Sequence, residues 1–234
     1  MSQQSISHSL GSERFKSEYF PIDSARATII LFPTVAGISD LELGFASDLN
    51  GKGCSVFIAD LYGEEFRGTP RGIGHEQMRR IQADRAKLRD RLLAVLDLVR
   101  GLSNDGPSIV AIGFCFGGLC ALDLARSGAD IAGAASFHGI FEPSGIPPRP
   151  INAKVIAFHG WDDPLVPPAK VVALAQELTA GGSDWQILAL GNTRHGFTNP
   201  GVDALNLPAV NYSALASARA WRAFDNFLED LFEA

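Results

Sequence analysis

The sequence predicts an α/β fold in which a doubly wound, mostly parallel sheet carries helices on both faces. Short apolar runs rich in β-branched residues alternate along the chain with longer helical patterns. The apolar runs are continuous, as expected for strands that are covered on both faces in a parallel sheet. Because crossovers between parallel strands are right-handed, the intervening helices are distributed over both faces.

Six strands and five helices are predicted. The strands are Ala27–Phe32, Ser55–Asp60, Ser108–Phe114, Gly133–His138, Lys154–His159 and Trp185–Leu190. The helices are Asp40–Gly51, His75–Gly101, Gly117–Arg126, Pro168–Ala180 and Ala214–Phe232. Ligands bind at the carboxyl ends of the strands in such a sheet, so the segments that follow the strands are where chemistry is expected.

Length and composition predict a single domain over residues 1–234, with a polar N-terminal segment at 1–26. The hydrophobic content of 46% and the charged content of 20% are ordinary for a globular protein. A chain of 234 residues buries enough surface to fold without a disulfide or a metal. The Pro-rich segment Glu142–Pro150 lies between two predicted strands, and we interpret it as a loop within the domain.

The net charge of −6 argues against nucleic acid or a membrane as a partner, because both are bound through basic surfaces. The densest basic run, Arg79 to Arg91, contains Asp84 and Asp90 and is predicted to be a solvated helix face. The apolar stretch 108–125 contains glycines and Asp123, so it predicts a buried strand running into a helix and not a membrane span.

The three cysteines, Cys54, Cys115 and Cys120, have no framework spacing and are odd in number. They predict free thiols in a reducing compartment. The N-terminal segment lacks the apolar region of a signal peptide, so a cytoplasmic location is expected. For Cys54 and Cys120 we predict packing roles.

The most informative segment is Gly113-Phe-Cys-Phe-Gly117, which follows a predicted strand and opens a predicted helix. It is a G-x-C-x-G form of the nucleophile elbow of α/β hydrolases, in which a Cβ beside the sharp turn would clash. The positive end of the following helix favours the thiolate of Cys115. A nucleophilic Cys115 in an α/β-hydrolase fold is therefore predicted; the alternative is a buried structural cysteine in a glycine-rich turn.

The partners of such a nucleophile follow it in the order acid, then histidine. One predicted strand is followed by Asp162 and Asp163, and we predict Asp163 as the acid and Asp162 as a turn or capping residue. The last predicted strand is followed by a loop that carries His195. His195 would take the thiol proton and return it to the leaving group, while Asp163 orients the imidazole.

Acyl transfer also needs N–H donors aimed at the developing oxyanion. The backbone N–H of Phe116, directly after the nucleophile, is one predicted donor. The second is expected from the loop after the strand Ala27–Phe32, and the N–H of Val35 is our candidate; a plain surface turn is the alternative. His138 and His159, each before a glycine at a strand end, are predicted to have structural roles; a place near the pocket is the alternative.

Four segments in this order resemble the dienelactone hydrolase family: Asp60-Leu-Tyr-Gly63, Gly113-Phe-Cys-Phe-Gly-Gly118, His159-Gly-Trp-Asp-Asp-Pro-Leu-Val-Pro167 and His195-Gly-Phe-Thr-Asn-Pro200. The resemblance extends from about Ala27 to the C-terminus. It implies a hydrolase with a Cys-His-Asp triad at Cys115, His195 and Asp163. It also implies oxyanion donors at Val35 and Phe116 and no cofactor. No H-x-x-x-H or C-x-x-C spacing indicates a metal site.

The chain departs from this family at three substrate-pocket positions. The family's glutamate in the early loop aligns with Thr34, and its substrate-binding arginines align with Glu64 and Asn199. Because Glu64 would repel a carboxylate where an arginine would bind it, a neutral ester or lactone is the expected substrate. Tyr62 and Phe197 complete the predicted pocket.

Hydrolysis of a small ester or lactone through an acyl-cysteine is therefore the leading functional hypothesis, for a monomer or small homo-oligomer. Thr34 and Glu64 keep a second hypothesis open, a non-catalytic small-molecule binder. A third is cleavage of a thioester or peptide, since fold alone does not choose among these reactions.

Overall fold

The computed structural model describes residues 2–103 and 108–232. Their centre is an eight-stranded sheet with the strand order β1-β2-β4-β3-β5-β6-β7-β8. The strands are β1 (Gln4–Leu10), β2 (Glu13–Phe20), β3 (Ala27–Phe32), β4 (Cys54–Ile58), β5 (Ile109–Phe114), β6 (Gly133–Phe137), β7 (Lys154–Gly160) and β8 (Trp185–Leu190). All pairs from β4 to β8 are parallel, whereas β1–β2 and β2–β4 are antiparallel.

Helices cover both faces of the sheet, as predicted. They are α1 (Asp40–Gly51), α2 (Arg71–Gln82), α3 (Arg85–Ser103), α4 (Phe116–Arg126), α5 (Pro168–Ala180) and α6 (Ala214–Phe232). The core on one face lies under α2 to α5, and the core on the other face lies under α1 and α6. No helix within residues 2–103 and 108–232 is both long and apolar enough to cross a membrane.

The six predicted strands are all present, with ends that differ from prediction by two residues at most. Strand ends are the least constrained part of such assignments, because pairing frays there. The prediction for Glu142–Pro150 is also confirmed, since the segment connects β6 to β7 without a helix or strand.

The N-terminal hairpin β1–β2 was not predicted. β1 lies at the edge of the sheet, and apart from the half-buried Ile6, His8 and Leu10 its residues are exposed, so it has no continuous apolar run. Gly11 turns the chain with a φ of 59°. A strand that is solvated on one face shows only a weak alternation of apolar and polar residues in the sequence. The many polar residues of 1–26 hide that alternation.

The long helix predicted over His75–Gly101 is two helices, because Asp84 begins a new one. Its carboxylate accepts the backbone N–H of Lys87 at 2.9 Å, which is N-terminal capping. The basic run is therefore not one solvated face. Arg91 is buried: its guanidinium donates to the carbonyl of Leu61 and to Glu13 and lies 4.7 Å from the Phe15 ring centroid.

A buried ion cluster joins α3, α4 and α5. The Asp123 carboxylate receives both Nε and Nη2 of Arg85, at 2.8 and 2.6 Å, and Nη1 of Arg126 at 3.1 Å. Arg126 also binds Glu177 through Nε and Nη2. Removing the shared carboxylate would leave Arg85 without its acidic partner and would leave Arg126 with Glu177 alone.

We therefore expect Asp123→Ala to lower the free energy of unfolding by about 3–5 kcal/mol, measured by urea denaturation. Asp97→Ala is the matched control, because Asp97 is 75% exposed and pairs with Arg100 at 3.5 Å. Its expected cost is below about 1 kcal/mol. Equal costs for the two variants would contradict a special role for the cluster.

Candidate active site

Cys115 lies in the sharp connection between β5 and α4, at the carboxyl edge of the sheet. Its backbone is held at φ 56° and ψ −115°, a conformation that costs energy for a residue with a side chain. Its N–H donates to the carbonyl of Phe137 at 3.0 Å, which extends the β5–β6 ladder. A Cβ at Gly113 would approach the Gly117 carbonyl oxygen to 1.9 Å, so the elbow requires this glycine.

Asp163 and His195 are joined side by side in the interior. Nδ1 of His195 donates to Oδ2 of Asp163 at 2.7 Å, and both residues are buried. The other carboxylate oxygen, Oδ1, accepts the N–H of Leu165 at 2.8 Å. Asp162 is exposed. Of the two neighbouring aspartates, Asp163 is thus the one that contacts the imidazole.

Backbone hydrogen bonds extend the sheet beyond β7 and hold the histidine loop. Trp161 N–H donates to the carbonyl of Leu190 at 2.8 Å, and Asp162 N–H donates to that of Thr193 at 3.0 Å. The loop is fixed from its other side, because His195 N–H donates to the carbonyl of Ala209 at 3.2 Å. The segment that carries His195 is therefore pinned between β7 and the chain that leads into α6.

Cys115 and His195 alter each other's ionisation. Burial alone would raise the pKa of the Cys115 thiol, but the charge and side-chain contact of His195 outweigh it and lower the pKa. Burial alone would lower the pKa of His195, yet the negative charge of Cys115 and the contacts with Asp163 raise it to about 10. These directions favour a thiolate–imidazolium pair at neutral pH, which titrates as a unit.

Within the described part of the chain, one imidazole nitrogen of His195 makes no hydrogen bond in the resting site. Nδ1 of His195 is occupied by Asp163, so Nε2 is the nitrogen that remains for Cys115. Among the described residues, Nε2 is buried without a well-aligned hydrogen bond. Catalytic hydrogen bonds are often long before substrate binds and tighten in the reacting complex.

The two predicted oxyanion donors both affect the pKa of the Cys115 thiol. The backbone N–H groups of Phe116 and Val35 both contribute to lowering the pKa of Cys115, after the opposing effect of burial and the larger effect of His195. Both residues are buried. An oxygen that develops negative charge beside Cys115 would meet the same two donors.

Glu42, which was not predicted as a site residue, holds the loop that carries Val35. Its carboxylate is fully buried and accepts the N–H of Thr34 at 3.0 Å and the N–H of Ser39 at 3.1 Å. The sequence did contain a signal, because Ser39-Asp-Leu-Glu42 has the S-x-x-E spacing of a helix capping box.

His138 lies closer to the site than its predicted structural role suggested. Its ring centroid is 5.2 Å from that of His195, and its Nε2 is 2.8 Å from the hydroxyl of Thr198. Burial, with a smaller contribution from the charge of His195, lowers the pKa of His138 well below its usual value. Burial also lowers the pKa of His159, so both neighbours of His195 remain neutral.

The predicted pocket residues have different environments. Thr34 and Asn199 are half-buried, and Glu64 is exposed at the start of a 3-10 turn. Tyr62 is buried, and its ring stacks on Phe116 with 6.0 Å between centroids. Phe197 is fully buried in the core under α1 and α6, so its contacts are with the protein interior.

Cys54 and Cys120 are buried free thiols, as predicted. Burial raises the pKa of both, most strongly that of Cys120. Within residues 2–103 and 108–232, no three His, Cys, Asp or Glu side chains are grouped so that they could hold a metal ion.

A cavity of about 970 Å³ lies away from Cys115, under the loop that connects β6 to β7. Its walls come from that loop, the end of α4 and the second half of α5. None of the predicted site residues lines it.

An eight-stranded, mostly parallel sheet with a strained strand-to-helix turn at its carboxyl edge defines an α/β hydrolase. The family model described as "Dienelactone hydrolase family" matches residues 19–232. The chain therefore belongs to the dienelactone hydrolase family.

Three relatives are similar to this chain over nearly all of their own length. The solved structure of m3DLH is 30% identical, with a TM-score of 0.88 over 99% of this chain and 98% of that chain. A dienelactone hydrolase-like promiscuous phosphotriesterase, P91 from metagenomic libraries, is also 30% identical, with a TM-score of 0.88 over 98% of each chain. An uncharacterized protein from Caenorhabditis elegans is 37% identical over 150 residues, which are 62% of this chain and 95% of that protein.

The pKa of Cys115 is lowered, whereas the pKa values of Cys54 and Cys120 are raised. These directions predict selective alkylation of Cys115. We expect iodoacetamide to modify Cys115 faster than Cys54 or Cys120 at neutral pH, as measured by peptide mapping. The rate at Cys115 should fall only as pH drops through its lowered pKa. In His195→Gln, which lacks the imidazolium, the midpoint should move to higher pH. A midpoint for Cys115 that does not respond to this change would contradict the ion pair.

Proposed function

We propose that this protein hydrolyses a small ester or lactone through an acyl-cysteine intermediate. Cys115 is the nucleophile, His195 the proton donor and acceptor, and Asp163 the group that orients His195. The observation that carries the proposal is the 2.7 Å contact of Asp163 with His195, which leaves Nε2 to the thiol of a strained elbow cysteine. Nucleophile, base and orienting acid are the parts that covalent acyl transfer needs.

In the proposed acylation, the Cys115 thiolate attacks the carbonyl carbon and a C–S bond forms. The carbonyl electron pair moves onto oxygen, where the N–H groups of Val35 and Phe116 stabilise it. When the oxyanion collapses, the C–O bond to the leaving group breaks. The departing alkoxide takes a proton from the His195 imidazolium, which the raised pKa of His195 keeps charged at neutral pH.

In the proposed deacylation, neutral His195 removes a proton from water, and the resulting hydroxide attacks the thioester carbon. The C–S bond breaks, the acid product leaves, and thiolate and imidazolium are restored. Asp163 keeps the same contact with Nδ1 throughout, so that Nε2 serves both half-reactions. No cofactor is needed in this sequence.

The charges around the site support a neutral substrate. Glu64 is exposed where the resemblance places an arginine, and Oδ1 of Asn199 is occupied by the N–H of Gly201 at 2.9 Å. Two nearby arginines are engaged elsewhere: Arg67 pairs with Glu18, and Arg194 donates to the carbonyl of Pro208. Arg71 is exposed in the first turn of α2, so a carboxylate-bearing substrate would test whether this arginine binds an anion.

Two other functions use the same site. A non-catalytic binder would retain the pocket without turnover, and a thioester or peptide hydrolase would use the same triad on another acyl group. The three free thiols support a reducing, cytoplasmic location for any of these functions. Activity towards esters, thioesters and peptides must therefore be compared directly.

The decisive experiment follows an activated aryl ester by stopped flow and mass spectrometry. We expect a burst of about one phenolate per protein and an adduct on Cys115 whose mass equals the acyl group. Cys115→Ala should abolish both, whereas Cys54→Ala, which removes a buried thiol outside the site, should retain them. Binding of the ester with neither burst nor adduct would identify a binder instead. Faster turnover of a matched thioester or peptide would identify the other alternative.

We further expect kcat/KM for a neutral ester to exceed that for its carboxylate-bearing analogue by about tenfold or more, because a carboxylate that loses hydration without gaining a cationic partner costs about 1–3 kcal/mol or more. Matched substrate pairs measure this ratio. Arg71→Ala should leave it unchanged. If the wild type prefers the anion and Arg71→Ala loses that preference, Arg71 is a cationic clamp and the expectation of a neutral substrate is wrong.

A further inference from the structure

Glu42 is a fully buried carboxylate that has no cationic partner within 4 Å among the described residues. Its hydrogen bonds go to the loop between β3 and α1. Oε1 accepts the N–H of Thr34, while Oε2 accepts the N–H and the hydroxyl of Ser39. A buried polar group is costly without hydrogen-bond partners, and both oxygens of this carboxylate have them.

The bond to Thr34 goes beyond helix capping. The pairing of Glu42 with Ser39 is a capping box, which stabilises the first turn of α1. Thr34 lies eight residues before Glu42 and outside the helix, so Oε1 performs no capping there. Its N–H belongs to the peptide unit directly before the one that carries the N–H of Val35.

The two peptide units on either side of Thr34 are each held by one hydrogen bond. The first is held by Glu42 through the N–H of Thr34 at 3.0 Å. The second contains the Thr34 carbonyl and the Val35 N–H, and its carbonyl accepts the N–H of Gly37 at 3.0 Å. Because the peptide bond is planar, fixing the carbonyl direction also fixes the direction of the Val35 N–H.

Packing connects this brace to the elbow. Phe45 of α1, three residues after Glu42, stacks on Phe114, with 4.3 Å between centroids. Phe114 directly precedes Cys115. The helix that carries Glu42 is therefore docked on the strand that carries the nucleophile, so the loop with Val35 and the elbow with Phe116 share one support.

We propose that Glu42 is a positioning residue of the oxyanion hole, which fixes the Val35 N–H opposite the Phe116 N–H by binding the Thr34 N–H. The inference rests on the proposed function, because it concerns the oxyanion of that reaction. Glu42 does not touch the substrate; it acts through the loop.

Two variants separate this role from capping. Glu42→Gln retains the capping box, since glutamine caps as glutamate does. Its single carbonyl oxygen cannot accept both N–H groups. Two donors of Ser39 meet one oxygen position and a single N–H of Thr34 meets the other, so we expect the amide oxygen to face Ser39 and the Thr34 bond to be lost. Ser39→Ala is the matched control, because it removes the capping hydroxyl and leaves the Thr34 bond in place. Glu42→Asp, which retains the charge and loses reach, is the second test variant.

The measurement compares an aryl ester with its thionoester, in which sulfur replaces the carbonyl oxygen. Sulfur is a weak hydrogen-bond acceptor, so the thionoester benefits little from the oxyanion hole. We expect Glu42→Gln to lower kcat for the ester about tenfold with little change in KM, since losing a whole donor costs about 10²–10³ in kcat. Turnover of the thionoester should change much less. Ser39→Ala should lower the melting temperature and leave the ratio of ester to thionoester unchanged.

The outcomes distinguish this inference from the proposed function. Suppose that the wild type hydrolyses the ester through Cys115 but that Glu42→Gln leaves the ratio of ester to thionoester turnover unchanged. The proposed role of Glu42 is then wrong, while the proposed function stands. If Glu42→Gln does not fold, the same comparison is made with Glu42→Asp. An equal loss on both substrates would make Glu42 a general structural residue and also overturn the inference. Failure of the proposed function is instead seen as a wild type without a burst.

Discussion

The buried thiol of Cys115, whose pKa is lowered against the effect of burial, is the constraint on which the rest of the site depends. An anion removed from water costs several kcal/mol unless neighbouring groups compensate, and Cys115 is compensated by the His195 charge and by two backbone N–H groups. None of these groups is free to move. His195 is bound to Asp163, Phe116 belongs to the first turn of α4, and Val35 lies in a loop bonded to Glu42. The buried carboxylates of Asp163 and Glu42 hold the His195 ring and the loop that contains Val35.

Two further histidines, His138 and His159, lie near Cys115 and His195, and burial keeps both of them neutral. A second imidazolium beside His195 would oppose the charge that the thiolate requires. Burial lowers the pKa values of both His138 and His159, so these rings pack against the site as neutral groups. The hydroxyl of Thr198, three residues after His195, pairs with Nε2 of His138 and connects β6 to the histidine loop. Of these three histidines, His195 has a raised pKa, whereas His138 and His159 have lowered pKa values and pack beside it as neutral rings.

The sequence predicts the part of this architecture that local chemistry determines. Continuous apolar runs identify the six strands that are buried on both faces, and the glycines of the elbow, Asp163 and His195 stand where strands end. The rest depends on contacts between distant segments. Arg91 belongs to a charged run, and its contacts with the hairpin and with Leu61 make it a buried residue. Glu42 has the spacing of an ordinary helix cap, whereas its bond to Thr34 depends on how the preceding loop folds back.

The N-terminal hairpin also has a consequence for how the protein is handled. Glu13 at the start of β2 binds Arg91, whose guanidinium also donates to the carbonyl of Leu61, the residue before Tyr62. Tyr62 in turn contacts the ring of Phe116. The N-terminal hairpin is therefore connected, through Arg91 and the segment Leu61–Tyr62, to Phe116 beside Cys115. A truncation or fusion that displaces β1 and β2 would remove the partner of a buried guanidinium and loosen the wall that it supports, far from the point of cutting.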